Sequence, residues 1–151
     1  MKTKITIIIL SAALFISCTN WFKKKPLPIY VELEKTSCMG PCPAFKLSIF
    51  EKKARLAGIT NLKNIGLYEA KINKMVADSI LGYLQDEAVM SSEAKYVNMK
   101  MLDLPTTYLR FFDGYEIKEI MIYNEKPAHL MPLIELLNAQ KDNLTWMKVG
   151  P

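Results

Sequence analysis

Apolar and polar positions alternate along residues 29–35, IYVELEK: Ile29, Val31 and Leu33 share one side, and Tyr30, Glu32 and Glu34 the other. A period of two predicts a half-buried strand. The alternation returns in AFKLSIFE, residues 44–51, which groups Phe45, Leu47 and Ile49. ARLAGIT predicts a third strand beyond a turn at Lys52–Lys53, and GLYEAKI a fourth. Glu32, Glu34, Glu51 and Glu69 fall on the outward sides, where solvation accounts for them. From Asn73 to Gln85 the period changes. Met75, Val76, Ile80 and Leu84 recur at helical spacing behind Asn73, a good N-cap residue. An irregular stretch runs to Leu104-Pro105. TTYLRFF and EIKEIMIY then flank Asp113-Gly114, a hairpin signal whose two alternations call for a loop longer than two residues. A last helix spans Pro132 to Ala139 with Leu133, Ile134 and Leu137 as its buried stripe, and Pro127 starts a preceding turn. Strands, a helix, a hairpin and a helix predict an α+β fold, a mainly antiparallel sheet with two helices packed on one face.

The first residues read differently. Lys2 and Lys4 precede an uncharged run from Ile5 to Ile16, about twelve residues, too short for the roughly twenty that span a bilayer. This predicts a secretory signal peptide over 1–17. Its end, LFISC, resembles a bacterial lipobox in Ser17 and Cys18 and departs from it in Phe15 and Ile16. The resemblance implies a lipid thioether on Cys18 and anchoring in membrane lipid through several acyl chains, each buried methylene adding about 0.8 kcal/mol. Thr19, where Asp is the usual inner-membrane signal, points to the outer membrane, facing the periplasm. The alternative is a cleaved leader with a free Cys18. Residues 18–28 form the lipidated N-terminus and tether, 29–140 a single domain, and 141–151 a C-terminal tail.

The formal charge of +5 falls to +3 without Lys2 and Lys4, and only Lys23–Lys25 cluster. With no basic stripe interleaved with aromatics, no nucleic-acid partner is expected. A single histidine, His129, argues against a multi-histidine metal centre or a Ser-His-Asp hydrolase. The nine methionines are scattered and fall mostly at apolar positions, which suggests core packing.

Chemistry concentrates in TSCMGPCP, residues 36–43, where Gly40-Pro41 reverses the chain between Cys38 and Cys42. Three readings are open. A structural disulfide suits an exported chain, and removing Cys18 from the count leaves an even pair. A redox pair is disfavoured by spacing and by the strand that follows. A copper site is the third: Cys-x-x-x-Cys-Pro is similar to the pattern in Sco-type copper chaperones, with Cys38, Cys42 and His129 as ligands and Met39 beside them.

LEKTSCMGPCPAFKLSIF resembles the signature of an uncharacterised bacterial family, domain of unknown function 6438, through Leu33, Glu34, Thr36, Cys38, Gly40, Cys42, Pro43 and Phe45. Gly66, DLPTTYLRF at 103–111 and the closing helix from Pro127 extend the resemblance. It implies a secreted or lipid-anchored protein and no known activity. Two functions follow from the sequence. One is a membrane-anchored exported lipoprotein acting as a non-catalytic binding or envelope-structure module, with no cofactor and a protein partner still to be identified. The other is a copper-binding or thiol-redox lipoprotein.

Overall fold

The computed structural model describes residues 30–150. The signal peptide, Cys18 and the tether lie outside the described residues. Eight strands form one sheet: β1 (Tyr30–Lys35), β2 (Ala44–Phe50), β3 (Lys53–Thr60), β4 (Gly66–Lys71), β5 (Lys95–Val97), β6 (Thr107–Phe112), β7 (Ile117–Tyr123) and β8 (Met147–Lys148). Their order is β5-β7-β6-β1-β2-β3-β4-β8. Only β5 and β7 run parallel. Three helices are seen among the described residues, α1 (Lys74–Leu84), α2 (Glu87–Met90) and α3 (Met131–Asn143). The fold is therefore α+β on a mainly antiparallel sheet.

The alternating strands form for the reason their sequence gives. Val31 and Leu33, Phe45, Leu47 and Ile49, Leu109 and Phe111, and Ile120 and Ile122 are all buried. They join Ala77, Ile80, Leu84, Leu133, Ile134 and Leu137 of the helices in one cluster. Asn73 caps α1, its Oδ1 accepting from Val76 N at 2.9 Å. The buried stripe of α1 is Ala77, Ile80 and Leu84, and Met75 is 75% exposed, contrary to expectation. Pro132 sits in the first turn of α3, where its missing N–H costs no hydrogen bond.

Several details depart from the sequence reading. The β2–β3 turn is at Glu51-Lys52, with Glu51 in the left-handed region at φ 53°, and Lys53 already begins β3. The stretch expected to be irregular contains α2 and β5. Residues 141–151 carry the end of α3 and also β8, which pairs with Tyr68 and Glu69 of β4. The β6–β7 connection is longer than two residues, as expected. Asp113 organises it, its Oδ1 accepting from Tyr115 N at 2.8 Å and Glu116 N at 2.9 Å. Those backbone bonds hold the Asp113 carboxyl below its ordinary pKa.

β3 departs from regular pairing at its end: Ala44 faces Thr60 while Phe45 faces Gly58, which leaves Ile59 as the extra residue of a bulge. A Cβ on Gly58 would lie 1.8 Å from the Asn64 carbonyl oxygen, so only glycine lets the β3–β4 loop approach this closely.

Candidate functional site

One end of the sheet gathers the residues singled out in the sequence. β1 ends there and β2 begins, and the loop between them is closed by a Cys38–Cys42 disulfide, Cα–Cα 5.7 Å. The Gly40 N–H donates to Cys38 Sγ at 3.2 Å. Asn61, at φ 55°, donates from Nδ2 to Cys42 O at 3.1 Å and ties the disulfide loop to the end of β3. Thr36 ties it to the start of β6. Its N–H donates to Thr106 O at 3.0 Å, and its Oγ1 accepts from Thr106 N at 2.9 Å.

The β5–β6 loop is fastened to the same end. Tyr123 OH donates to Met101 O at 3.0 Å and accepts from Leu104 N at 3.4 Å, and Asn124 Nδ2 donates to Asn98 O at 3.1 Å. Asp103 (φ 64°) and Asn124 (φ 52°) supply left-handed turns, a conformation in which Asp and Asn are enriched. Between these segments runs a groove of about 480 Å³. Leu104, Pro105 and Thr107 line it with Ile122, Asn124, Glu125 and Lys126. Its wall is mixed: Leu104, Pro105 and Ile122 are apolar, and Thr107, Asn124, Glu125 and Lys126 add a hydroxyl, an amide, a carboxylate and an ammonium. Lys35 lies at this end too. Burial and then the charge of Lys141 lower its pKa.

The side of the sheet away from the buried cluster carries a second arrangement. Glu119, Arg110, Glu32, Ser48, Arg55 and Glu69 are successive cross-strand partners on β7, β6, β1, β2, β3 and β4. Arg110 Nη1 reaches Glu32 at 2.7 Å and Glu34 at 2.5 Å, and its Nε reaches Glu119 at 2.6 Å. Lys46 adds contacts to Glu32 and Glu34 at 3.3 and 3.4 Å, and Arg55 meets Glu69 at 2.6 Å. Glu32 is only 7% exposed, so it is not the solvated outward residue expected. Ser48 Oγ also donates to it, at 3.0 Å. At Arg110, Lys46 and Glu34 burial works against the charge, and the partners outweigh it. Arg110 and Lys46 have raised pKa values because of Glu32 and Glu34, and Glu34 is lowered by Arg110 and Lys46. Tyr30 is raised, first by burial and then by the Glu32 charge. Arg55 and Arg110 lie over the rings of Phe50 (5.6 Å) and Tyr108 (5.1 Å). These internal partners absorb the charges, so this row reads as sheet reinforcement.

His129 is not brought to the cysteines. Its Nε2 lies 3.0 Å from Ser92 Oγ and 3.2 Å from Tyr96 OH, beside β5. In the sheet order β5 is three strands from β1. Among the described residues no three His, Cys, Asp or Glu side chains gather as a metal-holding group. The Ser92–His129 contact is a clamp: Ser92 is buried and its hydroxyl donates to Ala88 O at 3.1 Å. The Thr36–Thr106 clasp and the groove were not singled out from sequence. The only signal for them was that both motif stretches, 36–43 and 103–111, contain Pro and Thr beside a strand.

The methionines also depart from expectation. Met39, Met75, Met99, Met101 and Met147 are exposed, while Met90 and Met131 are partly buried against the core as expected.

Among known families, the model described as Domain of unknown function (DUF6438) matches residues 29–141. No curated protein matches the chain.

Proposed function

Since the chain belongs to this family, which brings no activity with it, we propose from the loop end that it is an exported, lipid-anchored protein acting as a non-catalytic binding module. In this reading Cys18 carries the lipid and the protein sits in the cell envelope, at the outer membrane facing the periplasm. The helices lie on one face of the sheet, and the ends of the strands present the binding surface.

The observation that carries the reading is the disulfide. Half-buried Cys38 and Cys42 close a ring on a surface loop whose Met39 is 87% exposed. A bridge on a surface loop is open to a reducing thiol pool and is typical of compartments that lack one, beyond the cytosol. The leader and the lipobox-like cysteine agree with that compartment. The loop end adds an open groove in which Asn124, Glu125 and Lys126 stand beside Leu104, Pro105 and Ile122, polar and apolar groups that a bound partner could meet.

The test is expression of the full chain in a lipoprotein-exporting bacterium. The expected result is membrane-bound protein, an N-terminal peptide with acyl mass on Cys18, and no thiol reactive without reductant. Cys18→Ser abolishes the acyl mass. Cytosolic, unacylated protein with Cys38 and Cys42 reduced overturns the proposal.

A further inference from the structure

The loop end holds large apolar side chains in water. Met39 on the β1–β2 loop is 87% exposed, and Met99, Met101 and Leu102 on the β5–β6 loop are 68%, 55% and 73% exposed. Ile59 and Ile65 beside the β3–β4 loop are 59% and 48% exposed. All three loops leave the same end of the sheet, where β1, β5 and β3 finish and β2, β6 and β4 begin. They fringe a line of strands from β5 to β4. At about 4.8 Å per strand that line is on the order of 30 Å wide. Exposed lysines stand among the apolar tips: Lys63, Lys100, Lys126 and Lys148, against Asp103 and Glu125. The opposite end of the sheet holds Tyr30, where the described chain begins.

Apolar tips in a row this wide fit an extended flat surface, and the excess of lysine fits a negative one. An interfacial bilayer site needs this pairing, shallow apolar insertion plus basic side chains at headgroup level. We infer that the loop end docks on the headgroup layer of a bilayer rich in anionic phospholipid, with Met39, Met99, Met101 and Leu102 entering the interface. The inference deepens the binding reading above and rests on it for the anchor that keeps the protein at that bilayer. The reach suffices. β1 spans six residues, about 20 Å at 3.3 Å each, while residues 19–29 extend up to about 36 Å, so an anchor on Cys18 and the loop end reach one leaflet.

The experiment uses the full-length lipoprotein carrying Trp21→Phe and Leu102→Trp, with the Trp21→Phe protein subtracted as the reference for Trp146, reconstituted into vesicles of phosphatidylglycerol or of phosphatidylcholine, each with and without brominated acyl chains. The expected result is blue-shifted, bromine-quenched emission from the indole at position 102 in phosphatidylglycerol, with a much weaker signal in phosphatidylcholine. Lys100→Gln and Lys126→Gln each lower the docked-to-undocked ratio roughly 5-fold, the equivalent of about 1 kcal/mol per lysine. Water-like emission in phosphatidylglycerol overturns the inference. So does a shift that ignores lipid charge and follows protein density, which would mean contact with a second copy. Failure of the anchor reads separately, as missing acyl mass on Cys18. Unacylated protein added to preformed phosphatidylglycerol vesicles still shows the shift if the loop end docks.

Discussion

Thr36 and Thr106 hold each other through two hydrogen bonds: Thr36 N–H to Thr106 O at 3.0 Å, and Thr106 N–H to Thr36 Oγ1 at 2.9 Å. The first continues the β1–β6 ladder beyond its last pair, Lys35 and Thr107. The second requires a side-chain oxygen, so residue 36 must be Thr or a close analogue. Thr36→Val keeps the shape and strands the Thr106 N–H. It is expected to cost about 1–2 kcal/mol in denaturant unfolding. Thr36→Ser is expected to recover most of that.

Arg110 is the common partner of Glu32, Glu34 and Glu119. Arg110→Met leaves nearly buried Glu32 with Lys46, at 3.3 Å, as its one ion-pair partner among the described residues. The expected loss is about 3 kcal/mol. The double variant Arg110→Met with Glu32→Gln is expected to be more stable than the single one, since it removes the stranded charge. Thermal or urea melts of both distinguish this from a simple loss of packing.

The same network fixes the sign of an acid effect. Burial raises the Glu34 pKa, but Arg110 and Lys46 bring it below its ordinary value of 4.5. A depressed carboxyl binds more protons unfolded than folded, so its contribution is complete above the unfolded value and fades as pH falls through the lowered one. Stability is expected to drop below about pH 4.5. Glu34→Gln is expected to flatten that limb in a pH series of melting temperatures.

Two glycines are expected to differ sharply. Gly58→Ala places a methyl 1.8 Å from backbone oxygen, so the β3–β4 loop must move, at an expected cost of about 3 kcal/mol. Gly40, although within the cysteine motif, has only Cys38 Sγ nearby, at 3.7 Å, an ordinary contact. Gly40→Ala is expected to stay within about 0.5 kcal/mol of the parent. Chemical melts under non-reducing conditions measure both.

His129→Ala removes contacts to Ser92 and Tyr96. It is expected to destabilise by about 1–2 kcal/mol. Any Cu(I) affinity of the reduced protein is expected to be unchanged, as read by competition with a chromogenic chelator, because the imidazole stands at β5 rather than beside the cysteines.

Much of the frame is visible in the chain. Period two in IYVELEK and AFKLSIFE marks β1 and β2 because one side of each meets a core. Leu133, Ile134 and Leu137 mark α3 by helical spacing. β5 and β8, of three and two residues, are too short to display any period, and pairing with β7 and β4 creates them. Met75 misled because α1 turns Ala77 inward instead, and a methyl group gives little sequence signal. Glu32 misled more instructively. Its position in β1 is outward, and its burial comes from Lys46 and Arg110 on neighbouring strands. The disulfide was among the possibilities that spacing allowed, whereas the groove depends on side chains that only the sheet order assembles.

The order of strands bears on how the protein is made. β1, the first strand among the described residues, lies inside the sheet between β2 and β6, and its Glu32 pairs with Arg110, 78 residues later. A chain made N-terminus first therefore cannot complete its sheet until β6, at Thr107–Phe112, has been added. Closure is a late event, set by the arrival of β6 and not by the meander that precedes it.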